Sequence, residues 1–183
     1  MTIKKILAAT VATITLGTAV SAANPTVGGA AMLEERNIIE NAINSPVHTT
    51  LVAAVKAAEL VETLQGDGPF TVFAPVNDAF TALPAGTVET LLKPENKAML
   101  QKVLTAHVVS GDWSSADIIK AARASSDGFY HFNAVSGDAL SAQVKGRNVY
   151  LIDESGNASK ITVADVDQSN GVIHVIDGVL VPK

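Results

Sequence analysis

The chain contains no cysteine and few aromatic residues: five Phe, two Tyr and one Trp make up 4% of its 183 residues. Without cysteine there is no thiolate zinc site, no cysteine nucleophile and no disulfide framework. The shortage of aromatics leaves Val, Ile, Leu and Ala to fill the interior and argues against a large stacking cavity. Cationic clusters are missing too. Lys and Arg total 13 against 18 Asp and Glu, a formal net charge of −5. No basic run is long enough to follow a phosphate backbone, so nucleic acid and anionic membrane surfaces are poor partners. No stretch supplies the roughly 20 apolar residues of a membrane span, and the sequence predicts no membrane anchor.

Apolar residues make up 48% of the chain, enough at this length for one well-buried core and one domain. The first residues read as an address. Lys4-Lys5 form a charged n-region, Ile6 to Val20 an apolar stretch, and Val20-Ser21-Ala22 a small-residue cleavage site. Residues 1–22 are therefore predicted to be a signal peptide, and the protein to be secreted or periplasmic. Cleavage removes two lysines and no acid, so the mature net charge is −5 − 2 = −7. Residues 23–36 (NPTVGGA near the start) read as a flexible leader, and residues 37–183 as the single domain.

Helical patterning begins near Met32. Ser45-Pro46 has the form of an N-cap followed by proline at the first helical position. Val47, Leu51, Val55, Ala58 and Val61 then recur on one face. Gln65 to Pro69 (QGDGP) turns the chain into a short strand, Thr71 to Phe73, that Pro75 breaks; Asn77-Asp78 then points at a new helix. Pro84, Gly86 and Pro94 punctuate further short helices, of which Glu95 to Leu104 is the clearest. Ser114 and Asp117 have capping-box spacing, with Trp113 and Ile118 placed as a hydrophobic staple. The tryptophan reads as a clamp on that helix, with ligand stacking the sharper alternative.

From Phe129 the period changes to two. Phe129–Val135, Ala139–Lys145, Asn148–Asp153, Ala158–Val166 and Val172–Val181 read as strands separated by Gly-, Ser- and Asn-rich turns. Asp177-Gly178 resembles a hairpin signal, but the residues after it are too few for a return strand, so the pair reads as a bulge or bend. Helices in the N-terminal two thirds and strands in the last third make an α+β fold with mainly antiparallel sheet.

Motifs that carry chemistry do not emerge. His48, His107, His131 and His174 are far apart and show no metal-binding spacing. Asp165, Asp167 and Ser169 imitate the start of a calcium loop, but the glycine falls one position late and Ile176 stands where a bidentate Glu is required. There is no Gly-x-Ser-x-Gly elbow, and Gly66-Asp67-Gly68 lacks the lysine of a phosphate cradle. No metal or other cofactor is implied, and no enzyme.

Two segments are more specific. TVFAPVNDAF, Thr71–Phe80, and GVIHVIDGVLVP, Gly171–Pro182, closely resemble the two signature motifs of the fasciclin domain. Thr105-Ala106-His107-Val108-Val109 resembles its central Tyr-His region, with Ala106 in place of the tyrosine. The resemblance runs from about Asn37 to Pro182 and implies a wedge of antiparallel sheet and short helices with the two signature strands side by side. It marks Phe73, Pro75, Asn77, Asp78, His174 and Asp177 as structural motif residues. His174 lies on one strand face with Val172, opposite Ile173 and Val175, and a buried imidazole needs a hydrogen-bond partner. Asn77 or Asp78 is the expected one.

In animal matrix proteins of this family the Tyr-His pair is implicated in integrin-dependent adhesion. By resemblance His107, Val108 and Val109 are candidate contact residues; a buried structural role is the alternative for His107. The function implied is non-catalytic adhesion or association with a cell-surface or extracellular protein or polysaccharide, with weak self-association. The alternative is a carrier or sensor of a small lipophilic ligand, which a pocket lined by Leu, Val and Met would favour.

Overall fold

The computed structural model describes residues 24–182. The signal peptide expected over residues 1–22 lies outside the described residues. Residues 24–36, expected as a flexible leader, are folded against the rest of the chain. Strands β1 (Thr26–Val27) and β2 (Ala30–Ala31) pair antiparallel, and Val27 and Met32 are buried. Gly28 and Gly29, with φ of +61° and +86°, make the reversal. The segment orders because these two side chains close apolar surface on the first helices, which water would otherwise cover.

Helix α1 (Ile38–Asn44) starts later than the patterning near Met32 suggests, and its start is set by a capping box. Asn37 Oδ1 accepts from the Glu40 N–H at 2.9 Å, and Glu40 Oε2 accepts from the Asn37 N–H at 3.1 Å. Ser45, expected to cap the next helix, instead closes α1. Its hydroxyl is engaged with His48 Nδ1 at 2.8 Å, so α2 (Thr49–Ala57) begins only at Thr49. Leu51, Val55 and Ala58 of the predicted face are buried; Val47 and Val61 flank them half-buried.

Short helices α3 (Val61–Gln65), α4 (Asn77–Thr81), α5 (Thr87–Leu91) and α6 (Lys97–Thr105) frame strand β3 (Phe70–Pro75). Then come β4 (Val108–Ser110) and α7 (Ser115–Ala124). The last third is β5 (Phe129–Asn133), β6 (Ala139–Lys145), β7 (Asn148–Ile152), β8 (Ala158–Gln168) and β9 (Gly171–Ile176). The α+β expectation holds.

Apart from the β1–β2 hairpin, the strands form one seven-stranded sheet in the order β4-β3-β9-β8-β7-β6-β5, in which β3 and β9 are the parallel pair and all other neighbours run antiparallel. The two signature segments are therefore side by side, with Phe73 opposite His174 and Pro75 opposite Ile176. Gly171 starts β9 against β3 at φ +147°; a Cβ there would lie 1.9 Å from the Phe70 carbonyl oxygen, so no larger residue fits. The sheet curls until its ends approach: Val135, just beyond β5, donates its N–H to the Val108 carbonyl of β4 at 2.7 Å.

Alternation along β3 and β9 divides the interior into two apolar clusters. Val72, Ala74, Ile173 and Val175 face α1, α2 and α6, whereas Phe73 and Ile176 face α7 and the inner side of β5 to β7. One expectation fails at the C-terminal end. Val172–Val181 is not one strand; β9 stops at Ile176, and Asp177-Gly178 is the bend the sequence suggested. Side chains claim the backbone beyond it. Leu180 N–H is held by His107 Nε2 at 2.9 Å and Val181 N–H by Asp153 Oδ2 at 3.0 Å, which takes these donors away from any ladder.

Candidate functional site

The motif residues converge on the centre of the sheet, where β3 and β9 meet the start of α7. His174 is fully buried and stacks on its register partner Phe73, ring centroids 5.6 Å apart. Its hydrogen bonds go to neither Asn77 nor Asp78. Nε2 donates to the Trp113 carbonyl at 2.8 Å, and Nδ1 accepts from the Asp165 N–H at 3.2 Å. The expected pairing fails because His174 points to the α7 side of the sheet, while Asn77 lies beyond the end of β3 next to α2. Burial pushes the His174 pKa below its ordinary value, against the opposing pull of the Trp113 carbonyl and Asp165, Asp112 and Asp167.

Asp165 supplies the other half of this junction. It sits in an irregular stretch of β8 with φ +56°, a left-handed backbone that asparagine and aspartate tolerate best. The bend aims its carboxylate at the N-terminus of α7, where it accepts from the Ser115 N–H at 2.6 Å and also binds the Ser115 hydroxyl. The pattern that imitates a calcium loop is thus a helix anchor. Ser114 caps the same helix as predicted: its Oγ accepts from the Asp117 N–H at 3.2 Å and donates to Asp117 Oδ2 at 2.6 Å. Trp113 and Ile118 join one cluster, as a staple requires, and the indole N–H donates to the Ser110 carbonyl at 3.2 Å.

Asn77 works as a remote cap. Its Oδ1 accepts from the Thr50 N–H at 3.0 Å, and its Nδ2 donates to the Pro46 carbonyl at 3.1 Å. α2 has no side-chain cap from its own N-cap residue, so the first signature motif terminates that helix from 27 residues away. Replacing Asn77 with alanine is expected to lower stability by about 1–2 kcal/mol, the ordinary worth of a cap. Urea unfolding measures it, and an unchanged midpoint would refute the role. Asp78 is exposed in the first turn of α4, and Asp177 Oδ1 accepts from the Lys160 N–H at 2.7 Å, fixing the bend after β9. Pro75 is buried at the end of β3.

The candidate contact residues His107, Val108 and Val109 are all buried, at 2%, 5% and 6% exposure. His107 Nδ1 donates to the Val103 carbonyl at 2.7 Å while Nε2 holds Leu180. The ring therefore ties α6 to the segment after β9. Burial lowers its pKa to about 4, although the Val103 carbonyl and the Asp153 charge pull the other way.

Two features escape sequence reasoning. The first is a contact of Ser141, His131 and Asp127: His131 Nδ1 lies 2.8 Å from Ser141 Oγ, and Nε2 lies 2.7 Å from Asp127 Oδ2. Hydrogen bonds from Ser125 and from His131, and one from the Phe129 N–H, hold the Asp127 carboxyl well below the usual carboxylate range. These are the residue types of an acyl-transfer triad, but His131 and Asp127 are 60% and 51% exposed on an open sheet surface. Water there screens the charges that such chemistry must stabilise. Pairing of β5 with β6 creates the contact by placing His131 opposite Ser141, a register that sequence spacing does not reveal.

The second feature is an apolar cavity of about 40 Å³ between the β1–β2 hairpin, α1, α2 and the sheet. Val27, Met32, Leu51, Val55 and Ile173 line it, and His48 and His107 are its imidazoles. No group of three or more His, Cys, Asp or Glu side chains among the described residues is placed to hold a metal ion. Among those residues no helix is long and apolar enough to cross a membrane.

Comparison with known proteins agrees with this architecture. The family model for the fasciclin domain matches residues 46–182. The chain is similar to protein sll1483 of Synechocystis sp., at 52% identity over 145 residues that cover 79% of this chain and 73% of that one. It is similar to cell surface glycolipoprotein MPB83 of Mycobacterium bovis, at 32% identity over 168 residues, 88% of this chain and 68% of that protein. Among solved structures it resembles a FAS1 domain pair from the insect cell adhesion molecule Fasciclin I, with a TM-score of 0.68 at 18% identity. That match covers 79% of this chain and half (50%) of the insect chain. From the paired signature strands and the extent of the family match, the chain belongs to the fasciclin domain family.

Proposed function

We propose that this chain is a non-catalytic association module of an exported protein, binding a cell-surface or extracellular protein or polysaccharide. The observation that carries this reading is the placement of its few aromatic residues. Four of the eight, Trp113, Phe129, Tyr130 and Phe132, gather at β5, the last strand of the sheet, and all four are half-buried. Trp113 lies against Tyr130 at 5.5 Å between centroids, and Tyr130 against Phe132 at 5.1 Å. Val135, next to them, is 53% exposed. Trp113, Tyr130 and Phe132 pack with Phe73 in the interior cluster, whereas Phe129 and Val135 lie on the outer face, where partly exposed apolar groups are the ingredients of a contact surface. The names of the relatives, a cell surface glycolipoprotein and a cell adhesion molecule, support the same setting. Bridging two surfaces through one such patch requires weak self-association or a second face, with avidity making up for modest single contacts.

Phe129→Ser combined with Val135→Ser is expected to reduce sedimentation of the mature protein with cells of its own host at least about tenfold, with melting unchanged. Binding that survives the double change refutes β5 as the contact face. Changes at His107 are expected to affect binding only as far as they unfold the protein, because the ring reaches no partner from the interior.

A second reading, a carrier of a small lipophilic molecule, is favoured by the apolar cavity beneath the hairpin. Native mass spectrometry of protein purified from its own host tests it: a stoichiometric bound species supports the carrier, and an empty protein leaves association.

A further inference from the structure

The cavity is mostly apolar: His107 at its wall has both ring nitrogens bonded and Lys56 borders it, which leaves one unmet polar group. His48, 4% exposed, reaches it from the start of α2, and its Nε2 has no hydrogen-bond partner. The other ring nitrogen, Nδ1, lies 2.8 Å from the Ser45 hydroxyl. Ser45 is 1% exposed, and the neutral imidazole nitrogen Nδ1 is the acceptor that its buried hydroxyl proton meets. The ring proton is then on Nε2, as a donor. The Ala74 carbonyl lies near enough to favour a charged ring but outside hydrogen-bond geometry, and burial outweighs it and keeps the ring neutral. A buried, neutral N–H thus borders a void walled by Val, Leu, Ile and Met.

We propose that this cavity takes the oxygen-bearing end of a slender, neutral aliphatic molecule of the fatty-alcohol class, its oxygen accepting from His48 Nε2. The inference deepens the carrier reading and rests on it. An oxygen acceptor satisfies the one unmet group, and an unbranched chain matches the rest of the lining. A carboxylate does not fit. Burying its charge beside a neutral donor is unfavourable, and Lys56, which also borders the cavity, stands eight residues along the chain, roughly 12 Å up the helix. Size sets the second limit. About 40 Å³ holds only a few water-sized groups, so the interior takes the tip of the molecule. The remainder must displace Val27 and Met32, 4% and 2% exposed, beneath a hairpin whose strands are two residues each.

The test uses the purified mature protein with two probes, xenon for the void and 1-hexanol for the donor. Xenon is expected to move the methyl resonances of Val27, Met32 and Ile173. 1-Hexanol is expected to bind saturably and to shift the His48 Nε2 nitrogen as well. His48→Phe, which keeps a ring but no donor, is expected to weaken 1-hexanol about tenfold and to retain xenon. Equal 1-hexanol binding by the two proteins overturns the proposal while leaving a carrier possible. Failure of both probes to enter removes the carrier reading and the proposal with it. If the variant does not fold, the wild-type spectra decide: a His48 Nε2 shift with 1-hexanol but not xenon is required.

Discussion

His174→Ala is expected to lower the unfolding free energy by about 3–5 kcal/mol, a large part of the 5–15 kcal/mol typical of a domain. Three losses combine. The Trp113 carbonyl and the Asp165 N–H, bonded at 2.8 Å and 3.2 Å, are left unpaired in the interior. Each costs about 1–3 kcal/mol when water does not replace the ring. Phe73 loses the imidazole stacked 5.6 Å from it, and a void opens between β3, β9 and α7. Urea unfolding measures the total. The tryptophan adds a local readout: Trp113 is the sole tryptophan and its own carbonyl is the His174 partner, so its fluorescence should shift in the folded variant. Unaltered unfolding and emission would remove His174 from the framework of the fold.

Acid is expected to destabilise the protein progressively from pH 6.5 towards 4, with His107 alone contributing roughly 3 kcal/mol. Both of its ring nitrogens are committed in the neutral form, Nδ1 as donor to Val103 and Nε2 as acceptor from Leu180. A second proton would set Nε2–H against the Leu180 N–H. The folded pKa of about 4 is below the ordinary 6.5, so the unfolded chain takes up the proton first. The stabilisation is complete above pH 6.5 and is lost as pH falls through that window; at about 1.4 kcal/mol per tenfold the gap gives the figure above. His174 and His48, both also lowered, steepen the same slope. Carboxylates titrate at the lower end, so the informative comparison is with His107→Leu. That variant should be less stable at pH 7.5 and lose less between pH 7 and 5. Parallel pH profiles for the two proteins would exclude His107 as the source.

Local elements of this fold are legible in the sequence to the extent that neighbours within a few residues decide them. Ser114 and Asp117 are three residues apart and cap α7 because that spacing is one helical turn. The period-two run after Phe129 yields strands close to those expected, and His174 faces away from Ile173 and Val175 as alternation requires. Errors arise where burial or distant groups override the local pattern. Ser45 would cap a helix on local grounds, but a buried His48 takes its hydroxyl. Residues 24–36 look like a leader by composition, yet Val27 and Met32 find a surface to cover that only the assembled helices and sheet provide. β9 ends early because His107 and Asp153, distant in sequence, take the N–H groups of Leu180 and Val181.

By itself, then, the sequence determined the α+β class, most of the turns, the cap of α7, the two signature strands and their family, and the burial of Phe73 and His174. Periodicity and motif spacing carry that information within short windows. Tertiary structure decided the partners. Trp113 meets His174 across 61 residues and Asn77 caps Thr50 across 27, while His131 meets Ser141 through a strand register. The void at His48 is likewise what remains when hairpin, helices and sheet close on one another. Hydrogen bonding is directional and short-ranged, so its partners depend on how the sheet twists, bulges and curls, and no local pattern along the chain encodes that outcome.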